Sequence, residues 1–373
     1  MSRSQKLSRC NRGMGYSNPK ARQEVAPLNS LERVTRTLRF EEPDRVPVYP
    51  LLSGVTRRLV NANYEEWATN ADICAKAYIK AAEQYRLDTI CTLTDLSVEA
   101  ADFGAPLVYP ANEAAHPAFG KRLIENAEDY RRVRSIDPRT GSRMSEHIKL
   151  CSNLVEAKGK EMPIVAFTFG PLGIVSMLRG QEALFMDLLL EPEAVKHAVS
   201  AVTDTLMDYY DALMDTGVHA IMLDTLFASK SIMSKSMWLE FEGVYVRKLA
   251  ERVHNRGCMV MVHNCGNGVY FDVQIETLQP EAISFLHLPD DVSTPAELKE
   301  KYGHQTTLIG HVDPTWIVQA SEDEVRARCQ EQIDQYKGGG GYILATGCEY
   351  PANGDLRNGE VMVETAEIYG RYR

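Results

Sequence analysis

The alternation of short β-rich runs with longer helical segments is the feature that most constrains the fold of this chain. It occurs eight times between residues 45 and 348. Most of the β-rich runs are almost continuously apolar, which is typical of parallel strands covered on both faces. These runs cover residues 45–52, 89–96, 163–170, 220–226, 258–266, 282–288, 306–313 and 341–348. Eight consecutive β–α units predict an α/β fold of the (β/α)8, or TIM-barrel, class with an N-terminal extension.

The rest of the chain is consistent with one barrel and a short leading arm. Helical periodicity predicts helices over 72–85, 192–214, 237–252 and 322–336. Residues 103–160 are predicted to be an excursion over one end of the barrel, so that residues 28–373 form a single TIM-barrel domain. Residues 1–27 are polar and basic, with Glu24 as the only acid. They predict a flexible or partner-covering arm, with a transit peptide as the less favoured alternative.

Charge and composition exclude several functional classes. The net charge of −10 argues against general nucleic-acid binding, because the phosphate backbone favours basic surfaces. No apolar run approaches the roughly 18 residues that a membrane-spanning helix requires. The eight cysteines form no close CxxC pair, which predicts reduced thiols and a cytoplasmic protein. A small-molecule substrate, a protein partner and a homodimeric state are all compatible with this composition.

Polar and metal-binding side chains are concentrated at the C-terminal ends of the predicted strands. In TIM barrels the catalytic groups project from these ends. The side chains found there are Asp95, Phe169, Asp224, His263, Cys265, His287, His311, Asp313 and Cys348. We take Asp95, Asp224 and His311 as candidate catalytic residues. The alternative is a structural role, as buried carboxylates or a locally hydrogen-bonded histidine.

A candidate metal site combines the end of the fifth strand with the end of the eighth. His263 and Cys265 are two residues apart on an extended strand, so their side chains point to the same side. Cys348 arrives from the last strand behind Gly347. One nitrogen and two sulfur ligands suit zinc, and three protein ligands leave the open position that a catalytic site requires. The alternative is a coincidental H-x-C pattern with Cys348 as a buried thiol.

Several motifs resemble those of the zinc methyltransferases that are related to uroporphyrinogen decarboxylase. The motifs are His263-x-Cys265-Gly266-Asn267 and Thr346-Gly347-Cys348, supported by residues 31–34, 43–47, 170–180, 191–193 and 308–310. This group includes methylcobalamin:coenzyme M methyltransferases and the methyltransferases that demethylate methyl ethers. The resemblance spans roughly residues 30 to 373. It implies a zinc enzyme whose metal ligands are His263, Cys265 and Cys348.

Two departures from the family pattern bear on the substrate. Residues 50–56 lack the arginine-rich loop with which the decarboxylases hold a polycarboxylated tetrapyrrole, which makes porphyrinogen decarboxylation the least favoured activity. Cys348 is followed by Glu349 rather than by a small residue, which alters the predicted pocket near the last strand. Two directions of methyl transfer stay open. Zinc can activate a methyl ether for attack by a cobalt(I) corrinoid, or activate a thiol that accepts methyl from methylcobalt.

Aromatic residues near the strand ends favour the methyl-ether interpretation, with a methoxylated aromatic substrate. The candidate substrate-binding residues are Phe169, Tyr49, Asn267 and Tyr350, with Phe227 nearby; simple packing is the alternative for the rings. The chain lacks the D-x-H-x-x-G corrinoid-binding signature, so a corrinoid (cobalamin) cofactor is expected on a partner protein that docks at the barrel mouth. A non-enzymatic, zinc-stabilised scaffold is a further alternative, and it would require a fourth protein ligand.

Overall fold

A computed structural model describes residues 28–118 and 120–372. Eight parallel strands form one sheet in the order β1-β10-β9-β8-β7-β6-β5-β2, and β3 pairs with β4 in a separate antiparallel ladder. The strands are β1 (Val48–Tyr49), β2 (Ile90–Cys91), β3 (Leu107–Val108), β4 (His116–Pro117), β5 (Ile164–Phe169), β6 (Ala220–Asp224), β7 (Met259–Asn264), β8 (Ala282–Phe285), β9 (Thr307–Val312) and β10 (Tyr342–Thr346). The predicted (β/α)8 barrel is confirmed. The arm predicted for residues 1–27 lies outside the described residues.

The barrel closes between β1 and β2 through Asp88. The N–H of Asp88 donates to the carbonyl of Val48 at 3.1 Å, and the N–H of Val48 donates to Asp88 Oδ2 at 2.8 Å. The Asp88 side chain is fully buried and accepts from Arg33 Nη1 at 2.8 Å and Arg45 Nη1 at 2.6 Å. Because β1 and β2 are so short, this buried cluster of charges replaces the missing part of the ladder.

Helices surround the sheet, and their ends follow local sequence signals. Asn63 and Ser321 cap α2 and α15 in capping boxes with Glu66 and Glu324, and Pro192 occupies the first turn of α9. The helices are α1 (Ser30–Leu38), α2 (Tyr64–Thr69), α3 (Ala71–Tyr85), α4 (Val98–Asp102), α5 (Ala127–Arg132), α6 (Met144–Lys158), α7 (Pro171–Arg179), α8 (Gln181–Leu190), α9 (Pro192–Asp215), α10 (Lys235–Trp238), α11 (Val244–Asn255), α12 (Phe271–Leu278), α13 (Pro295–Tyr302), α14 (Pro314–Ile317), α15 (Glu322–Tyr336) and α16 (Arg357–Ile368), with a 3₁₀ helix at Gly54–Val60 and a π-helix at Leu239–Gly243.

Four predicted elements differ from the structure. The first two strands, predicted over 45–52 and 89–96, have only two residues each; in the first, Pro47 and Pro50 lack the N–H that would extend the ladder. The helix predicted over 237–252 contains the π-helical turn, which the apolar periodicity does not reveal. The predicted excursion over 103–160 ends before α6, which packs against α3 and β5 as a regular barrel helix.

Two further sequence predictions concern membranes and thiols. No helix within residues 28–118 and 120–372 is long and apolar enough to cross a membrane. All seven cysteines in the described part of the chain have free thiols. Only two of these, Cys265 and Cys348, lie next to each other at the C-terminal end of the barrel.

Candidate metal centre

Three potential metal ligands converge at the C-terminal end of the barrel. His263 is the penultimate residue of β7, Cys265 follows that strand, and Cys348 follows β10. Their ligand atoms all lie within 4.8 Å of one another, and no other histidine, cysteine or acidic residue among those described joins the group. One nitrogen and two sulfurs at this spacing fit Zn²⁺, with a fourth position left for an exogenous ligand.

Two glycines allow the loops that carry the thiols to approach their neighbours. A Cβ added at Gly266 would lie 2.5 Å from Ser229 Oγ, and one added at Gly347 would lie 2.6 Å from the Cα of Leu286. Both distances are far below van der Waals contact, so a side chain at either position would displace a cysteine loop. The glycines beside Cys265 and Cys348 are therefore steric requirements of the site.

Asn264 holds the first cysteine loop in place. Its Nδ2 donates to the carbonyl of Thr225 at 2.7 Å, and its Oδ1 accepts from the N–H of Gly266 at 2.8 Å. The side chain is fully buried and thus links β6 to the turn that follows β7. The position of Asn264 between His263 and Cys265 does not by itself predict these contacts, because both partners are set by the fold of the loop.

Ser284 orients the imidazole of His263. The Nδ1 atom of His263 lies 3.0 Å from Ser284 Oγ on the neighbouring strand β8, and the ring is 5.8 Å from that of Phe167. With Nδ1 hydrogen-bonded, Nε2 is the nitrogen available to a metal, which is the usual arrangement of a histidine ligand and its supporting partner. Sequence reasoning missed Ser284, because only the β7–β8 register reveals the contact.

Replacing Ser284 by alanine is expected to weaken zinc binding without removing a ligand. Loss of a hydrogen-bonding partner of a metal ligand typically lowers metal affinity by about 10–100-fold. Competition with a chromophoric chelator would measure the zinc affinity of Ser284→Ala beside that of Ser152→Ala, which alters an exposed serine of α6. Equal affinities of the two variants would show that the hydrogen bond does not support the metal site.

The two thiols interact closely with each other and with the imidazole. A hydrogen bond from Cys348, together with the nearby His263, lowers the pKa of the Cys265 thiol. The same hydrogen bond, together with burial, raises the pKa of Cys348. Burial alone would lower the pKa of His263, but its hydrogen bond and attraction to Cys265 raise it. The site thus favours one thiolate next to a retained proton, which a divalent cation would displace.

One buried carboxyl group lies beside this cluster, and a second lies beside the first. Asp224, the last residue of β6, is 7% exposed, and burial raises its pKa to about 7. Glu242, in the π-helix, is fully buried; its Oε2 accepts from Trp238 Nε1 at 2.8 Å, and burial raises its pKa to about 8. Asp224 Oδ1 and Glu242 Oε1 have no hydrogen-bond partner among the described residues. The sequence pointed to Asp224 but not to Glu242, since the π-helix that orients Glu242 has no sequence signature.

A third buried acid meets the same strand end. Glu99 Oε1 accepts from the N–H of Phe169 at 3.1 Å, and burial raises the pKa of Glu99 to about 7. Gly170, the next residue, donates its N–H to the carbonyl of Asp224 at 2.9 Å, and a Cβ on this glycine would overlap Glu242 Oε1. Three carboxyl groups therefore surround the end of β5. Glu99 was also missed by sequence reasoning, because it lies in a short helix after β2.

Asp95 and His311, the other candidate catalytic residues, are engaged elsewhere. Asp95 is buried, forms a salt bridge with Arg143 and accepts from the N–H of Ser97 at 2.8 Å, so both of its oxygens have partners. His311 Nε2 lies 3.2 Å from the hydroxyl of Tyr336 on α15, and its ring stacks on Phe285 with centroids 5.1 Å apart. The structure brings neither residue into the metal-ligand group.

The four candidate substrate-binding residues have different surroundings. Phe169 ends β5 in register with Asp224, with its ring centroid 5.7 Å from that of Phe167. Tyr49 is buried, Tyr350 is fully buried with its hydroxyl donating to a backbone carbonyl, and Asn267 is exposed. Of these four residues, only Phe169 lies at the end of β5, where Asp224 and Glu99 are its neighbours.

Comparison with known proteins shows similarity along almost the whole chain. A family model described as uroporphyrinogen decarboxylase (URO-D) matches residues 29–369. The methylcobamide:CoM methyltransferase MtbA of Methanosarcina mazei is 23% identical over 345 residues, covering 91% of this chain and 97% of that protein. A uroporphyrinogen decarboxylase of Xanthomonas campestris pv. campestris is 23% identical over 330 residues, which cover 83% of this chain and 89% of that protein. Among solved structures, a methyltransferase from Methanosarcina mazei matches with a TM-score of 0.75 and 19% identity. The match covers 92% of this chain and 99% of that chain.

Proposed function

The chain belongs to the uroporphyrinogen decarboxylase (URO-D) family, and from this premise we propose that it is a zinc-dependent methyltransferase that acts with a corrinoid protein. The observation that carries the proposal is the convergence of His263, Cys265 and Cys348 at the barrel mouth. Methylcobamide:CoM methyltransferases from two Methanosarcina species, 22–23% identical and matched over 97% of their length, support methyl transfer as the reaction class.

His263, Cys265 and Cys348 would hold the zinc ion, and the chemistry of this donor set fits it. When bound, zinc would supply a Lewis acid that polarises an ether oxygen or lowers the pKa of a thiol. Ser284 keeps Nε2 of His263 directed at the site, and Asn264 holds the loop that presents Cys265.

Asp224 is proposed to contact the substrate, because its Oδ1 is buried beside the ligands and has no partner among the described residues. A protonated Asp224 can donate a hydrogen bond to a substrate oxygen, and an ionised one can accept a proton from a thiol. Phe169 offers an apolar surface at the adjacent strand end. For Asp95 and His311, whose side chains bind Arg143 and Tyr336, we propose a role in supporting the barrel rather than in the reaction.

Both directions of methyl transfer have a supporting observation. The names of the methyltransferase relatives favour a thiol acceptor. The aromatic pair Phe167 and Phe169 at the strand end is compatible with the methoxylated aromatic donor predicted from the sequence. Decarboxylation of a porphyrinogen is less well supported, because Asp224, the buried ionisable side chain beside the ligands, is an acid rather than one of the arginines that suit a polycarboxylate.

A corrinoid-bearing partner protein would approach the C-terminal end of the barrel, where Cys265 and Cys348 are partly exposed. Such a partner follows from the proposed reaction, because methyl transfer to or from cobalt requires the cobalt atom to reach the substrate. A homodimer and a cytoplasmic location are further expectations from the sequence.

Assays of methyl transfer in both directions test the proposal. We expect about one zinc per chain, together with methylation of a small thiol by methylcobalamin or demethylation of 2-methoxyphenol by cob(I)alamin. Corrinoid absorption records either reaction, because the methylcobalt and cobalt(I) states have different spectra. Absence of zinc, or turnover of uroporphyrinogen without any methyl transfer, would refute the proposal. Addition of a chelator provides the control for metal dependence.

A further inference from the structure

The two places where the sequence departs from the family pattern meet in the folded chain. The first loop, residues 50–60, lies beside the last loop, residues 347–356, because β1 and β10 are neighbouring parallel strands. Ser53 Oγ donates a hydrogen bond to Glu349 Oε1, and the N–H of Gly54 hydrogen-bonds the same carboxyl group. Ser53 is fully buried and Glu349 is partly buried. The side chain of Glu349 therefore links the two loops, which a small residue at this position could not do.

The backbone of the last loop is anchored on both sides of Cys348. The N–H of Gly347 donates to the carbonyl of Val312 at 2.8 Å, and the N–H of Tyr350 donates to the carbonyl of Leu51 at 2.9 Å. The two residues between these anchors belong to no helix or strand. The carboxyl group of the second one is thus a third anchor, and it lies immediately next to the metal ligand.

Glu349 also contacts the metal ligand through its main chain. The N–H of Glu349 hydrogen-bonds the sulfur of Cys348. Hydrogen bonds of this kind stabilise a thiolate and hold it in a fixed direction, as the supporting partners of metal ligands do. The direction of this N–H depends on the orientation of residue 349. Because the side chain of the same residue is bound to the first loop, that loop limits the orientation of the peptide beside the sulfur.

The first loop is a firm support for this contact. The Tyr64 hydroxyl donates to the carbonyl of Thr94, just beyond β2, at 3.1 Å, and a Cβ on Gly54 would overlap the Tyr64 ring. Arg57 is buried, and its Nη1 donates to the carbonyl of Ala352 at 2.5 Å. The first loop is therefore packed against the β2 side of the barrel and bonded to the last loop at a second point.

We infer that Glu349 is a positioning residue for Cys348, which it holds in place for metal binding by fastening the last loop to the first. The inference rests on the proposed function and adds a residue to its metal site. Among the described residues, the ligand group contains only His263, Cys265 and Cys348, so Glu349 acts through the third ligand and not as a fourth. A ligand that is already held in place loses less conformational freedom when the metal binds, which raises the affinity.

Replacing Glu349 by alanine is expected to lower zinc affinity by about 10–100-fold, with one zinc per chain still bound at saturation. Ser53→Ala should lower the affinity in the same way, although it removes no charge. Glu349→Gln should recover most of the affinity, because its amide oxygen can still accept from Ser53. Competition with a chromophoric chelator measures each zinc affinity, and circular dichroism checks that each variant is folded.

A double variant and a matched control show whether the two residues act as a pair. If they do, Ser53→Ala combined with Glu349→Ala should lose less affinity than the sum of the single losses, because each substitution removes the same contact. Asn358→Ala is the control for a general loss of stability. Asn358 is buried, and its Nδ2 donates to the carbonyls of Ile317 and Ala320 at 2.6 and 2.8 Å. Its loss should lower the urea stability of the zinc-free protein without changing zinc affinity.

The outcomes separate this inference from the proposed function. Wild-type zinc affinity in Ser53→Ala and Glu349→Ala overturns the positioning role but leaves the methyltransferase proposal intact. Equal losses in Glu349→Gln and Glu349→Ala, or additive losses in the double variant, also overturn it, because the hydrogen bond would then not be the cause. If Glu349→Ala does not fold, Ser53→Ala and Glu349→Gln decide the question. Absence of zinc from the wild-type protein contradicts the proposed function itself.

Discussion

Replacing Cys348 by alanine is expected to abolish stoichiometric zinc binding and to lower methyl transfer by about 1000-fold. The physical reason is that the ion would lose one of its three protein ligands, and Lewis-acid activation worth about 4 kcal/mol would be lost with it. Cys265→Ala should have the same effect, because both thiol sulfurs belong to the same ligand group. Metal analysis after dialysis, followed by the corrinoid assay, measures both quantities.

The barrel itself should survive these substitutions. Cys348 and Cys265 lie beyond the ends of β10 and β7, so their loss removes no ladder hydrogen bond and no large apolar side chain. Cys258→Ala is the appropriate control, since Cys258 precedes β7 at the opposite end of the barrel and should leave zinc and activity unchanged. A full complement of zinc in either Cys265→Ala or Cys348→Ala would overturn the ligand assignment.

Replacing Asp88 by alanine is expected to lower the free energy of unfolding by about 3–5 kcal/mol. Asp88 is the fully buried carboxylate that joins β1 to β2, and Arg45 and Arg33 both depend on it. Without it, the guanidinium of Arg45, whose side chain is 11% exposed, would have no carboxylate partner, and the N–H of Val48 would lose its acceptor. Urea unfolding followed by circular dichroism measures the change.

An exposed ion pair provides the comparison for Asp88. Asp72 pairs with Lys149 at 2.8 Å, but its side chain is 65% exposed, so Asp72→Ala should cause a much smaller loss. Asp88→Asn should lower the free energy of unfolding by an amount between those of Asp72→Ala and Asp88→Ala. The amide oxygen can still accept a hydrogen bond, but the side chain cannot balance two guanidinium charges. If Asp88→Ala and Asp72→Ala unfold at the same urea concentration, the closure of the barrel does not depend on the buried cluster.

Part of the candidate site follows from the chain order of its residues. His263 and Cys265 are two residues apart at the end of one strand, and Cys348 follows another strand of the same barrel, so their convergence could be predicted from strand polarity. The acid Asp224 was found for the same reason. Glu242 and Glu99 could not be found in this way, because they approach the end of β5 from helices whose orientation depends on packing.

The difference between chain order and packing also explains why two residues that were predicted for the site lie away from the metal-ligand group. His311 and Tyr350 were selected because they lie near strand ends. In the folded chain, His311 turns towards Tyr336 on α15, and Tyr350 is fully buried with its hydroxyl bonded to the backbone. A position at a strand end therefore limits where a residue lies but does not specify which side of the sheet its side chain occupies.

The sequence by itself determined the barrel and the convergence of three potential metal ligands, because apolar periodicity and strand polarity are properties of chain order. Only the tertiary structure decided which groups support them: Ser284 through the β7–β8 register, Glu242 through a π-helical turn, and Asp88 through the closure of two very short strands. These contacts join residues that are distant in sequence, and their strength depends on burial, which no local pattern records.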